Sequence, residues 1–186
     1  MLEKEVKIIL KEEQYEKLKN FYDWHKNLVQ VNYYYDNRCY QMGNRGITIR
    51  VREINKQFYL QAKIPVTYKN SLHIKEEYEK EIDFLPLSIS QKELYQLTGN
   101  EIYDVELLGK LETERLICNW NDNVEICLDK NKYLNTSDYE LEIEYKGKYP
   151  VYLMEKLQEI GVYEPSKAEG KFTRFIKEYQ RKDNKR

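Results

Sequence analysis

Histidine is nearly absent from this chain: His25 and His73 are the only two in 186 residues. That scarcity argues against a histidine-built metal centre and against a Ser-His-Asp triad. Cysteine is scarce as well. Cys39, Cys118 and Cys127 are odd in number and show no CxxC spacing, so they suit neither a disulfide framework nor a zinc site and point to a reducing compartment. No apolar run approaches the length of a membrane span. The opening Met1-Leu2-Glu3-Lys4-Glu5 has the character of neither a signal peptide nor a transit peptide. These features predict a soluble cytoplasmic protein with no membrane partner. An excess of either charge is also missing: 31 basic residues face 32 acidic ones, for a net charge of -1. A general nucleic-acid binder carries a basic excess, so that class is set aside. A local basic site balanced by a local acidic one stays open, because 34% of the residues are charged.

What the chain has in quantity is tyrosine, 18 residues of it. Tyrosine favours strands, although an AT-rich genome accounts for a tyrosine and asparagine excess equally well. Periodicity supports the strands. Residues 2–10 alternate, with Leu2, Lys4, Val6, Ile8 and Leu10 on one face and Glu3, Glu5, Lys7 and Ile9 on the other. Residues 12–27 switch to a helical stripe through Tyr15, Leu18 and Tyr22. Strands are expected over 29–36, 47–52, 57–63, 72–84, 105–120 (one or two), 124–129 and 138–146. Asn55-Lys56 makes a hairpin turn, and Pro65 stops the strand that follows it. Ser90 is placed to cap a short helix over 90–98, and Gly161 to end one over 151–160. A basic C-terminal helix is expected from about Phe172. The length suits a single domain over 1–186. About eight strands with few helices predict a β-dominated α+β fold, and closure into a barrel would remove its sheet edges.

The charges fall on these strands by parity, since side chains two apart share a face. Arg50 and Arg52 lie opposite Ile47, Ile49 and Val51. Lys63 lies with Tyr59 and Gln61, opposite Phe58, Leu60 and Ala62. Glu77, Glu79 and Glu81 share a face. Glu125 and Asp129 oppose Val124, Ile126 and Leu128. Glu140, Glu142 and Glu144 oppose Leu141 and Ile143. An antiparallel sheet with one solvated face gives such alternation strand by strand. A solvated face, however, usually mixes its signs, whereas carboxylates cluster here at both ends of the chain and guanidiniums in the middle. Divalent metal ions relieve repulsion among carboxylates, and phosphates relieve it among arginines. A barrel with its charged face inward would hold a polyanion with Mg2+ or Mn2+ bridging it to the glutamates.

These same residues resemble the CYTH, or triphosphate tunnel metalloenzyme, superfamily. Glu3-Lys4-Glu5-Val6-Lys7 is similar to its ExExK signature, and Tyr33-Tyr34-Tyr35-Asp36 to its tyrosine-rich second strand. Ile49-Arg50-Val51-Arg52 resembles the LRIR strand, and Tyr59-Leu60-Gln61-Ala62-Lys63 the TLKxK-like strand. Glu77-Tyr78-Glu79 and Thr113-Glu114-Arg115 are similar to the ExE and TxR elements. Leu128-Asp129 and Tyr139 to Glu144 resemble the late acidic strands, and Lys171-Phe172-Thr173-Arg174-Phe175 the closing KxxRF element. Position 75 departs from the pattern, with Lys where Arg is frequent. The nearest likeness is to the bacterial thiamine-triphosphatase-like branch.

The resemblance implies an eight-stranded closed antiparallel barrel that hydrolyses a triphosphate. The implied metal ligands are Glu3 and Glu5, completed by Glu142 and Glu144 with Glu77 or Glu79. All-oxygen ligation suits Mg2+ or Mn2+. Lys7, Arg50, Arg52, Lys63, Arg115, Lys171 and Arg174 are the implied phosphate contacts, with Lys75 a further candidate. Ion pairing to neighbouring glutamates is the competing role for these cations. Asp129 is either a ligand or a turn residue. Glu3, Glu5 and Lys7 form the catalytic set, and metal-activated water attacks the terminal phosphorus in line. The substrate is a small-molecule triphosphate, inorganic or thiamine-linked, and the protein a monomer or homodimer. The alternatives are a class IV-type adenylate cyclase and a non-catalytic polyphosphate or nucleotide receptor.

Overall fold

A computed structural model describes residues 4–65, 75–163 and 168–183. It has β1 (Lys4–Leu10), α1 (Glu12–Phe21), β2 (Lys26–Asp36), α2 (Gln41–Asn44), β3 (Thr48–Ile54), β4 (Gln57–Pro65), β5 (Lys75–Ile82), β6 (Ser88–Ile89), α3 (Gln91–Thr98), β7 (Val105–Asn121), β8 (Val124–Tyr133), β9 (Thr136–Tyr145), α4 (Val151–Glu159) and α5 (Lys171–Asp183). Among the described residues the fold is thus a β-dominated α+β arrangement with one antiparallel sheet of nine strands, against about eight expected. Its strand order is β1-β9-β8-β7-β2-β3-β4-β5, with β6 paired to β7. Among the described residues this hydrogen-bonded path begins at β1, ends at β5 and is not closed.

The chain packs as two units, with β2 and β7 contributing to both. The first holds β1, β8, β9, α1, α4 and the second half of β7. Val6, Ile8 and Leu10 of β1 bury with Ile126, Leu128, Leu141 and Ile143. Tyr15 and Leu18 of α1, and Leu153, Met154 and Leu157 of α4, complete that core. The apolar parity of each strand therefore meets the apolar stripe of a helix. Helix α1 stops at Phe21, short of the expected residue 27. Tyr22 is extended, and the His25 N–H has already joined the sheet at the Ile117 carbonyl, 2.9 Å away.

The second unit holds β3, β4, β5, β6, α2, α3, α5, most of β2 and the first half of β7. Its core gathers Tyr35, Ile49, Val51, Leu60 and Ala62 with Ile89, Leu94, Ile102 and Val105. Ser90 caps α3 as expected: its hydroxyl accepts the Glu93 N–H at 3.3 Å, and the Glu93 carboxylate accepts the Ser90 N–H at 2.9 Å.

Two hairpins position the charged faces, one in each unit, and both close through two-residue turns. Asn55 and Lys56 have φ of 52° and 66°, and Leu134 and Asn135 have 47° and 65°. Two consecutive left-handed residues are what a tight hairpin turn of the favoured hand requires. The resulting registers set Ile54 against Gln57 and Tyr133 against Thr136.

Candidate functional site

In the first unit the face opposite the core is acidic. Glu5 pairs across the ladder with Glu144, Lys7 with Glu142 and Ile9 with Glu140. On the other side of β9, Glu125 meets Glu144, Cys127 meets Glu142 and Asp129 meets Glu140. Paired residues project to one side of a sheet. Carboxylate oxygens of Glu5, Glu142 and Glu144 lie within 4.8 Å of one another. Burial, then the charges of Glu142 and Glu5, push the Glu144 carboxyl above the usual range.

Two cations answer this cluster. Lys7 Nζ donates to Glu5 and, at 3.0 Å, to Glu142. Arg115 forks onto Asp129, Nε to Oδ1 at 2.8 Å and Nη2 to Oδ2 at 2.7 Å, and Nη2 donates also to Glu142. Burial works to lower the Arg115 pKa. The hydrogen bonds and charge of Asp129, with the charge of Glu142, outweigh it and hold the guanidinium protonated more firmly than usual. Burial raises the Cys127 thiol well above its ordinary range, so it stays protonated, with Sγ 3.6 Å from Glu125 Oε1.

The second unit carries the basic counterpart on its own polar face. Arg50 pairs with Gln61, Arg52 with Tyr59 and Thr48 with Lys63, while Gln61 meets Glu79 and Lys63 meets Glu77. Arg50 is buried, and its Nε donates to Gln61 Oε1 at 2.6 Å. Gln61 passes the hydrogen bond on to Glu79. Arg52 Nε donates to Asn32 Oδ1 at 3.1 Å, and Lys63 Nζ to Glu77 Oε1 at 2.6 Å. Burial, then the charge of Arg50, lower the Lys63 pKa against the pull of Glu77. Loss of solvent works to raise Glu77. The Lys63 hydrogen bond and charge, helped by Arg50 and Arg52, win and hold it below the usual carboxylate range. Three cations crowd one face here, held in place by amides and carboxylates.

Helix α5 docks on that same face. Tyr34 pairs with Arg50 across the ladder, so it points to the Arg50 side, and its ring meets Phe172 at 5.0 Å and Phe175 at 5.1 Å. Lys171 and Arg174 therefore come from a helix anchored on the arginine face rather than from a strand. Asp36 fixes the seat of that helix. Its fully buried carboxylate accepts from Asn37 N at 2.8 Å, Met42 N at 2.9 Å and Gly43 N at 2.8 Å. This ties down α2, and α2 packs on α5. A Cβ on Gly43 would lie 3.3 Å from Asp36 Oδ2 and 3.9 Å from Phe172, so any larger residue there would press on the Asp36 carboxylate.

The structure brings Glu5, Lys7, Glu142, Glu144 and Arg115 together in the first unit, and Arg50, Arg52, Lys63, Glu77 and Glu79 in the second. Glu3 lies outside the described residues. Lys75 Nζ donates to the Gly46 carbonyl at 3.0 Å. The tyrosines of β2 serve packing: Tyr33 bonds Glu53 at 2.9 Å, and Tyr35 bonds the Pro86 carbonyl at 2.7 Å. Parity placed Gln61 and Glu140 on these faces without giving either a site role, and Asn32 was not foreseen there. The parity of Asn32 was the available signal, and an uncharged amide does not stand out in an alternating pattern.

Three solved structures align over most of this chain. A candidate adenylate cyclase from Bacillus halodurans is 20% identical, covers 95% of this chain and 100% of its own, and has a TM-score of 0.70. A Hippeastrum protein, described as a candidate adenylyl cyclase with a dominant triphosphatase activity, is 20% identical over 95% of this chain and 96% of its own, with a TM-score of 0.72. A Pyrococcus horikoshii protein is 21% identical over 90% and 95%, with a TM-score of 0.58. At such identities the likeness is one of fold. No curated protein sequence matches the chain. The model of the CYTH domain matches residues 1–170, the greater part of the length and both charged faces, and the chain belongs to the CYTH domain family.

Proposed function

We propose that this protein hydrolyses the terminal phosphoric anhydride of a small triphosphate, inorganic triphosphate or thiamine triphosphate, with Mg2+ or Mn2+ held by Glu5, Glu142 and Glu144. The observation that carries this reading is the convergence of those three carboxylates within 4.8 Å. The donor set fits a hard divalent cation: every donor is an oxygen, and burial followed by the charges of Glu142 and Glu5 raises the Glu144 carboxyl, a repulsion among carboxylates that such a cation relieves. When bound, the metal would polarise the phosphoryl group and offset charge on the leaving oxygen.

The remaining work falls to the side chains. Arg50 and Arg52 give planar, fork-shaped contacts to phosphate oxygens, and Lys63 adds a point charge. Gln61 and Asn32 hold the two guanidiniums by their Nε atoms, which fixes the direction of each fork. Their positions are set before the ligand arrives, so little reorganisation accompanies charge development on the phosphoryl oxygens. Lys7 shares Glu5 and Glu142 with the proposed cation, and its ammonium turns to a phosphate oxygen when those carboxylates are engaged. Water is the nucleophile, so no side chain is covalently modified.

The test is a substrate panel of inorganic triphosphate, thiamine triphosphate and ATP, each with Mg2+ or Mn2+, read for orthophosphate and for cyclic nucleotide. Orthophosphate release from one of the first two supports the reading. Cyclic AMP and pyrophosphate from ATP would replace it with a cyclase, and binding without turnover would make the protein a receptor.

A further inference from the structure

We infer that Asp129 is a positioning residue that acts on the metal-binding carboxylates through Arg115 and is not itself a ligand, an inference that rests on the metal reading above. Asp129 is fully buried, and both of its carboxylate oxygens are taken by one guanidinium, at 2.8 and 2.7 Å. Such a bidentate fork fixes the plane as well as the place of the arginine. The same Nη2 that bonds Asp129 also donates to Glu142. Arg115 is thus a bridge between a carboxylate that belongs to the converging trio and one that does not.

The next rung of the sheet carries a polar network of its own. Thr113 and Asn131, two residues before Arg115 and two after Asp129, are both fully buried. Thr113 Oγ1 donates to Asn131 Oδ1 at 2.7 Å, and Asn131 Nδ2 donates to Asp138 Oδ1 at 2.9 Å. Tyr133 closes the chain with a 2.7 Å bond to Asp138 Oδ2. A connected polar network of this kind holds its members in one arrangement. Through the shared Nη2, Asp129 draws off part of the guanidinium charge that would otherwise fall on Glu142. Without it, Arg115 holds Glu142 alone and competes more strongly with an incoming cation.

The experiment is Mn2+ binding to the full chain, followed by the electron paramagnetic resonance of free Mn2+ in the absence of any triphosphate, with thermal unfolding in parallel. Asp129→Asn is expected to weaken Mn2+ binding about tenfold. In an Arg115→Met background the same substitution is expected to leave Mn2+ affinity unchanged and to raise the melting temperature, because it removes the buried carboxylate that the arginine had neutralised. This second comparison also serves if Asp129→Asn alone fails to fold. Equal weakening in both backgrounds would make Asp129 a direct ligand and overturn the inference. A lower melting temperature with unchanged Mn2+ affinity in Asp129→Asn would reduce it to a scaffold residue and overturn it as well. Wild-type protein that binds no Mn2+ would remove the metal reading and this inference with it, whereas wild-type binding with no Arg115-dependent effect removes the inference alone.

Discussion

On the proposed metal reading Lys7 competes with the cation for its carboxylates, and its removal should tighten metal binding while damaging turnover. Its Nζ sits 3.0 Å from Glu142 Oε1 and donates also to Glu5, two of the three carboxylates proposed to hold the cation. A hydrogen bond to a charged group contributes about 1.5–3 kcal/mol net. Lys7 is 23% exposed, so part of what it loses on displacement returns as hydration, and one such contact is the appropriate measure of the competition. At about 1.4 kcal/mol per decade, Lys7→Met should bind Mn2+ roughly ten- to hundredfold more tightly in the absence of triphosphate. The same variant should lose kcat/KM, because the ammonium is no longer there for a phosphate oxygen. Lys7→Arg keeps the positive charge and should leave Mn2+ affinity within a few-fold of wild type. Calorimetric Mn2+ titration beside steady-state kinetics reads both quantities. Unchanged or weaker Mn2+ binding by Lys7→Met would refute the reasoning, whatever happens to turnover.

Glu5→Gln should abolish metal-dependent phosphate release with little change in melting temperature, since Glu5 is an exposed member of the converging trio; undiminished release would remove it from the site. Arg50→Ala and Arg52→Ala should each lose about 1.5–3 kcal/mol of substrate or transition-state binding, a ten- to hundredfold fall in kcat/KM, with the lysine variants recovering only part of it. Wild-type kinetics in both alanine variants would mean that this face does not meet substrate. Burial, then the Cys118 charge, raise Tyr22 to about 12. Its contribution to stability is therefore complete below the unfolded value near 10 and is lost as pH rises through 12, because the unfolded chain ionises first. Unfolding midpoints measured across pH 9 to 12 should fall more steeply in wild type than in Tyr22→Phe, and parallel curves would count against the burial of that phenol.

Much of both charged faces was legible because it rests on parity alone. Glu5 and Lys7, Arg50 and Arg52, and Glu142 and Glu144 alternate with core residues, and two-residue periodicity needs no knowledge of partners. What parity cannot give is the neighbour across the ladder. Arg115 was assigned to phosphate with ion pairing as its competing role, and its partner Asp129 is set by the pairing of two strands and not by either strand's own sequence. Helix α2 escaped notice for a related reason. Its four residues contain a glycine and carry no stripe; it forms because the Asp36 carboxylate, six and seven positions back, accepts the N–H groups of Met42 and Gly43. Strand β6, at two residues, is too short to show any period and accounts for a ninth strand where eight were expected.

The two-residue turns at Asn55-Lys56 and Leu134-Asn135 decide more than where two hairpins reverse. Each holds a register in which charged side chains face one way and core side chains the other. Slipping a strand by a single residue exchanges its faces. One inserted residue at Asn55-Lys56 would thus threaten to turn Arg50 and Arg52 toward the apolar core or Lys63 away from Glu77. One at Leu134-Asn135 would do the same to Glu142 and Glu144. Neither turn can trade length for variety. Natural length variation and engineered insertions should therefore gather in connections outside these hairpins, while the two short turns keep a fixed count and change only in residue type.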